Sequence, residues 1–315
     1  MSFLNSLQGV FAIIIMICIG IFIAWKGWIN QDSSKLLSKL VTNIALPAYM
    51  ISNMLSTYDR RKLVKMSHGL PIPFGSMIIL YFLALGLSRI LKIPQNRKGI
   101  FCSMFAMSNT IFVGLPVNMA IFGEQSLPYV LVSYIANTTL FWTLATHAIR
   151  KDGKKEEHAE TKTFKKNAAN ILTPPLMGFI IAIILIFAGV YPPKFIMDTC
   201  KYLGSLTTPL SMLFIGSTIF NVKIKDIKPD KGFFAVFAGR FILSPVLVAV
   251  LSIFFPIPVL MRKVLIVQAA MPVMTQTAIV AKAYGADHEY AAIVTTATTV
   301  GSLVMIPVYM AILGV

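Results

Sequence analysis

The 315-residue chain is 57% hydrophobic and 13% charged, with a net charge of +16 and a mean hydropathy of +0.77. Soluble domains carry roughly 25% charged residues; here the apolar residues gather in blocks of about 20, long enough to cross a hydrocarbon core roughly 30 Å thick. That excludes a soluble globular domain, and the widely spaced Cys18, Cys102 and Cys200 exclude a disulfide framework or a cysteine metal site. The basic excess reads as the orientation signal of a membrane protein, not as nucleic-acid binding.

In chain order, ten apolar spans are expected at about 6–28, 36–57, 70–91, 99–122, 127–149, 171–191, 199–220, 232–255, 262–284 and 289–313. The first has no basic region before it and no small-residue cleavage site after it, so it is a retained helix and not a signal peptide. One long polar connector, 150–170, is rich in Lys and Glu and too poor in apolar residues to fold alone. It divides the chain into a first five-helix repeat (1–149), a cytoplasmic linker (150–170) and a second five-helix repeat (171–315). Lys and Arg concentrate in the loops that share a side with this linker, which places both termini outside the plasma membrane. The cluster Arg60, Arg61, Lys62 and Lys65 runs against that bias.

The halves echo each other at an offset of 162 to 165 residues. Pro47 in the second span matches Pro209 in the seventh, Arg97-Lys98 matches Arg262-Lys263, and Phe122-Gly123 matches Tyr284-Gly285. Five spans per half is an odd number, so the second copy must enter the membrane the opposite way, which makes an inverted repeat. The fourth and ninth spans are each interrupted. Ser108-Asn109-Thr110 precedes Gly114-Leu115-Pro116 in one, and Met271-Pro272 precedes Thr275-Gln276-Thr277 in the other. Proline removes a helix hydrogen bond, and paired breaks in matching positions mark a transporter's binding site. Two broken helices would offer N–H groups at positive dipole ends to an anion, with Asn109, Thr110, Thr275, Gln276 and Thr277 as neutral partners. The bland alternative is that these side chains only bridge helices.

Arg240 is a basic residue well inside a span, open to two readings: attraction of an anionic substrate, or pairing with carbonyl oxygens. Asn53 is expected to hydrogen-bond a neighbouring helix, and the threonines 295, 296, 298 and 299 to pack. All twelve acids fall at span ends, in loops or in the linker, Asp152 being assigned to the linker. A proton relay of the Asp/Glu type therefore has no visible carrier. No cofactor or metal site is expected; a Na⁺ site made of carbonyls and hydroxyls stays open.

The run Asn109-Thr110-x3-Gly114-Leu115-Pro116 with Phe122-Gly123 resembles the fourth-helix signature of the auxin efflux carrier family. Thr208-Pro209-Leu210, Arg240-Phe241-x3-Pro245 and Gln268-Ala269-Ala270-Met271-Pro272 are similar to the same family, and the resemblance covers essentially the whole chain. The short linker resembles that of bacterial members, which are malate- or malonate-type permeases. The resemblance implies an all-α polytopic fold related to bile acid/sodium symporters, with ten helices and broken helices four and nine crossing at the centre. It implies transport of small organic anions by alternating access, with Gly114, Pro116, Pro272 and Arg240 at the site and Asn137 as a substrate-contacting amide. Two departures, Ala278 in place of a second proline and a third span without an acid, set the chain apart from the plant carriers.

The partners implied are a small organic anion and the lipid bilayer, with a homodimer left open. A membrane enzyme would need a nucleophile–base pair, paired carboxylates or a metal cluster at depth, and none is present. An anion channel, or a membrane sensor without a transport cycle, is the alternative; a channel would not need matched breaks, and a sensor would usually bring a soluble output domain.

Overall fold

A computed structural model of the chain describes residues 3–153, 172–221 and 229–315; most of the linker expected at 150–170 and the basic stretch 223–228 lie outside the described residues. Among the described residues there is no sheet, only an isolated bridge between Ser108 and Val273. The first half contains α1 (Phe3–Trp25), α2 (Gln31–Leu40), α3 (Leu46–Thr57), α4 (Arg60–Ser67), α5 (Pro71–Ile90), α6 (Lys98–Ala106), α7 (Gly114–Phe122), α8 (Leu127–Leu140) and α9 (Thr146–Asp152). The second contains α10 (Pro174–Ala188), α11 (Lys194–Ser205), α12 (Thr207–Phe220), α13 (Lys231–Ala238), α14 (Ser244–Leu251), α15 (Val259–Ala269), α16 (Gln276–Tyr284) and α17 (His288–Leu313).

Among the described residues, five stretches are long and apolar enough to cross a membrane: Gln8–Trp25, Pro71–Ile90, Lys194–Phe220, Lys231–Leu251 and His288–Leu313, with Pro174–Ala188 shorter but also apolar. The expected spans 99–122 and 262–284 are each divided into two helices of 9 to 11 residues. At 1.5 Å per residue, neither piece crosses a hydrocarbon core alone. Along α1, Phe11, Ile15, Ile19 and Phe22 form an exposed apolar stripe, which suits acyl chains and not water.

Two prolines shape continuous helices by a shared device. Pro47 and Pro245 each follow a π-helical turn, Val41–Ala45 and Gly239–Leu243. The wider turn passes the hydrogen bond back five residues, from Leu46 to Val41 and from Ser244 to Gly239, and relieves the clash a proline ring causes. The carbonyl that Pro245 cannot serve, that of Phe241, accepts instead from the Tyr309 hydroxyl at 2.6 Å.

The helices pack in two groups. In one, α1 lies on α12, and α3 lies on both α10 and α11. In the other, α6 is held by α5, α9 and α13, α15 by α14 and α8, and α16 by α17. The first group closes on small residues: a Cβ on Gly216 would stand 2.3 Å from the Ile17 carbonyl oxygen, and one on Gly20 would stand 2.8 Å from that of Leu213. Close backbone approach is what small residues provide in membranes, where apolar side chains gain little by leaving lipid.

Three of the acids cap helix starts. Asp59, Asp230 and Asp287 accept from the first-turn N–H groups of α4, α13 and α17. Arg97 links two of these caps, with Nε 2.6 Å from Asp287 Oδ2 and Nη1 3.7 Å from Asp230 Oδ2, and its guanidinium lies over the Tyr290 ring. Asp152 differs from expectation. It ends α9 and is only 8% exposed, where its Oδ2 accepts from the Ile100 N–H at 2.9 Å and caps α6. Burial pushes its carboxyl up from 3.8 to about 6, against the pull of the Gly99 and Ile100 N–H groups and of Lys98.

Two outcomes are expected. Gly216→Val should overpack the α1–α12 contact and cost about 1–3 kcal/mol or more, read as a lowered thermal unfolding temperature in detergent. The raised Asp152 pKa means that the native state holds this proton more tightly than the unfolded chain. Its contribution is therefore complete below about pH 4 and lost as pH rises through about 6. Asp152→Asn, which keeps the acceptor without the charge, should remove that slope and raise the unfolding temperature at neutral pH.

Candidate functional site

The two breaks meet. Residues 107–113 separate α6 from α7, and 270–275 separate α15 from α16. They run antiparallel at Ser108 and Val273, and the Asn109 N–H donates to the Pro272 carbonyl at 2.8 Å. The breaks thus bring Asn109, Thr110, Gly114, Pro272, Thr275, Gln276 and Thr277 to one place. Pro116 occupies the first turn of α7, where an N–H would lack a helical partner anyway, so it marks the restart of the helix and does not interrupt one. Pro272 lies within the unwound stretch itself.

Each unwound segment leaves backbone groups that a hydrocarbon interior cannot solvate. Asn137 acts on Ser108 like a neighbouring strand: its Oδ1 accepts from the Ser108 N–H and its Nδ2 donates to the Ser108 carbonyl, both at 3.0 Å. The Asn109 Oδ1 accepts from the Phe112 N–H, while its Nδ2 donates to Thr275 Oγ1 at 3.1 Å across the crossing. From α17, Thr298 Oγ1 accepts from the Val273 N–H at 3.2 Å, so at least one of the threonines expected only to pack holds a break. Ser103 and Thr277 place their hydroxyls 3.4 Å apart, joining α6 to the start of α16.

Gln268 is a participant whose role the sequence did not single out. Its Nε2 donates to the Thr110 carbonyl at 3.3 Å, and its side chain lies against Gly114, where a Cβ would stand 2.4 Å from Oε1. A side chain at 114 would therefore displace the Gln268 amide. The available signal was an amide inside an apolar stretch, since buried amides in membrane helices need partners.

Arg240 is 1% exposed and sits in the π turn that precedes Pro245. Its Nη1 donates to the Ala106 carbonyl at 3.1 Å and to that of Phe105 at 3.4 Å, at the end of α6. Its Nη2 donates to the Ala269 carbonyl, at the end of α15, at 2.5 Å, and to that of Met271 at 3.2 Å, which Nε also reaches. One guanidinium therefore serves the C-terminal ends of both half-helices. Each such end carries roughly −0.5 elementary charge, so two together offset about one positive charge. The positive starts of α7 and α16 are left without a comparable carboxylate, since Asp152 is the only acid among the buried described residues.

At those starts, Thr275 and Gln276 are half-buried and keep accessible surface, whereas Asn109, Thr110 and Thr277 are buried. Phe112 in the first break packs on Phe214 of α12, with ring centroids 5.1 Å apart, and so joins the crossing to the other helix group. The arrangement can receive a negative group at two helix starts while keeping its own carbonyls satisfied. Among the described residues no cluster of His, Cys, Asp or Glu could hold a metal ion.

Replacing Arg240 by Met should strand at least three carbonyls and lower stability by about 3–5 kcal/mol. Arg240→Lys keeps the charge with three donors in place of five and should fall between Met and wild type, as thermal unfolding in detergent would show.

The comparisons with known proteins agree with this architecture. Residues 6–310 match the family model described as membrane transport protein. An uncharacterized transporter of Methanocaldococcus jannaschii is 27% identical over 310 residues, covering 95% of this chain and 96% of the relative. Another, from Methanothermobacter thermautotrophicus, is 24% identical over 325 residues, covering 99% of this chain and all of the relative. Members of the family are transporters and not enzymes. The chain belongs to this membrane transport protein family, that of the auxin efflux carriers.

Proposed function

We propose that this membrane transporter is a secondary carrier of small organic anions, of the malate or malonate type, working by alternating access at the crossed breaks. The observation that carries the proposal is the pairing of two breaks in which the half-helices that stop, α6 and α15, share Arg240 at their C-terminal ends while the half-helices that restart, α7 and α16, carry no buried acid at their N-terminal ends. Helix starts favour anions, and a neutral lining lets a carboxylate leave again. Thr275 and Gln276 would meet the anion first, with Asn109 and Thr110 behind them. Asn137, Thr277 and Arg240 would hold the geometry, with Gly114, Pro116 and Pro272 setting the backbone.

The packing supports two inverted five-helix repeats, 1–149 and 171–315. The first helix of each half lies on the third helix of the other, α1 on α12 and α10 on α3. On this reading ten segments cross the plasma membrane with both termini outside, and the first helix group is the frame against which the group holding the breaks moves. With no carboxylate buried at the crossing among the described residues, the substrate gradient and the membrane potential are the simplest drive.

The test is counterflow of radiolabelled malonate and malate in liposomes. Wild type should exchange at least one of them, and Asn109→Leu should abolish exchange while the protein stays folded. Normal exchange by that variant would remove the crossing as the site. Ion conductance far above carrier rates would replace the carrier with a channel.

A further inference from the structure

A second polar cavity has no residue of either break in its lining. It has a volume of about 490 Å³ and opens between α3, the end of α7 and the α11–α12 pair. Its inner wall carries polar groups with nothing to bond. The Asn53 side chain, 5% exposed, has no partner for Oδ1, and the hydroxyls of Tyr49 and of Thr207 (2% exposed) are likewise unpaired. Asn53 was expected to bond a neighbouring helix; among the described residues it does not. Asn53 is thus a nearly buried amide in the lining of this cavity with no protein partner for its side chain among the described residues.

The mouth carries charge of both signs. Lys201 and Glu124 line the cavity, and neither is in an ion pair among the described residues, whereas Asp198, also in the lining, is held by Lys194 at 2.6 Å. A simple carboxylate drawn to Lys201 would meet repulsion from Glu124, and a simple amine drawn to Glu124 would meet it from Lys201. A molecule with both charges satisfies both. Met119 and Met197, also in the lining, supply the adaptable apolar surface that a hydrocarbon side chain needs.

We propose that this cavity binds a small zwitterion of the α-amino-acid class with an apolar side chain. Its carboxylate lies toward Lys201 and the Asn53 amide, its ammonium toward Glu124, and its side chain against Met119 and Met197. The site is distinct from the crossing and stands whether or not the crossing carries organic anions.

The test is calorimetric titration of the full-length protein in lipid nanodiscs with three probes of one carbon skeleton at equal ionic strength. These are L-leucine, 4-methylpentanoate, which lacks the ammonium, and 3-methylbutylamine, which lacks the carboxylate. Leucine should bind saturably, and the other two at least about tenfold more weakly, a difference of roughly 1.4 kcal/mol. Lys201→Met and Glu124→Gln, at exposed positions that tolerate change, should each weaken leucine binding by at least a similar factor. Asn109→Leu, at the crossing, should leave it intact. Equal binding of 4-methylpentanoate would make the cavity a plain anion site, and no saturable heat from wild type would leave it a water-filled space. Loss of leucine binding in Asn109→Leu would move the ligand to the crossing. Each of these three results overturns the proposal.

Discussion

The guanidinium of Arg240 is the contact on which the centre of the molecule depends. Two helices that stop inside a membrane leave two sets of unpaired carbonyls and two negative dipole ends. A buried arginine beside them would be untenable alone, and so would the carbonyls. Together they form a unit in which hydrogen bonding and charge close at once: four carbonyls of α6, α15 and the second break accept from one planar donor. What remains unbalanced is the other side of each break, where helices begin. The same residue that makes the interruption tolerable thus leaves a positive field at the crossing.

The surrounding side chains complete the backbone accounting. Asn137 pairs with both polar groups of Ser108, Thr298 takes the Val273 N–H, and Gln268 takes the Thr110 carbonyl. Three amide or hydroxyl side chains from three different elements are aimed at backbone, which leaves Thr275 and Gln276 as the accessible polar groups at the helix starts. The first helix group contrasts with this. Its contacts, such as Gly20 on Gly216, are close approaches of small residues. Phe112 on Phe214 joins the two regions through an apolar contact, which can part without stranding a polar atom.

Much of this was legible in the residues. The apolar blocks predicted helices, and the polar, proline-bearing stretches 108–116 and 271–277 predicted which two are interrupted. The placement of acids at helix ends also held, because Asp at an N-cap is a local preference that needs only the adjacent N–H groups. Other features were not legible. Asp152 looked like the start of a solvated linker, yet it is buried because α9 continues one turn further and packs on α6. Asn53 looked like a helix-bridging amide, yet a cavity faces it. Neither outcome depends on local sequence; each depends on which helix arrives alongside.

Sequence by itself determined that the chain lies in a membrane, which helices are interrupted and that the interruptions carry neutral polar residues, because length, hydropathy and proline chemistry act locally. It left Arg240 between two roles, since a charge within a span can serve a substrate or a carbonyl equally well. Only the tertiary structure decided which groups that charge meets. Residues 105–106, 240 and 269–271 converge because separate helices pack around one crossing, and a contact across more than a hundred residues leaves no periodicity in the chain that makes it.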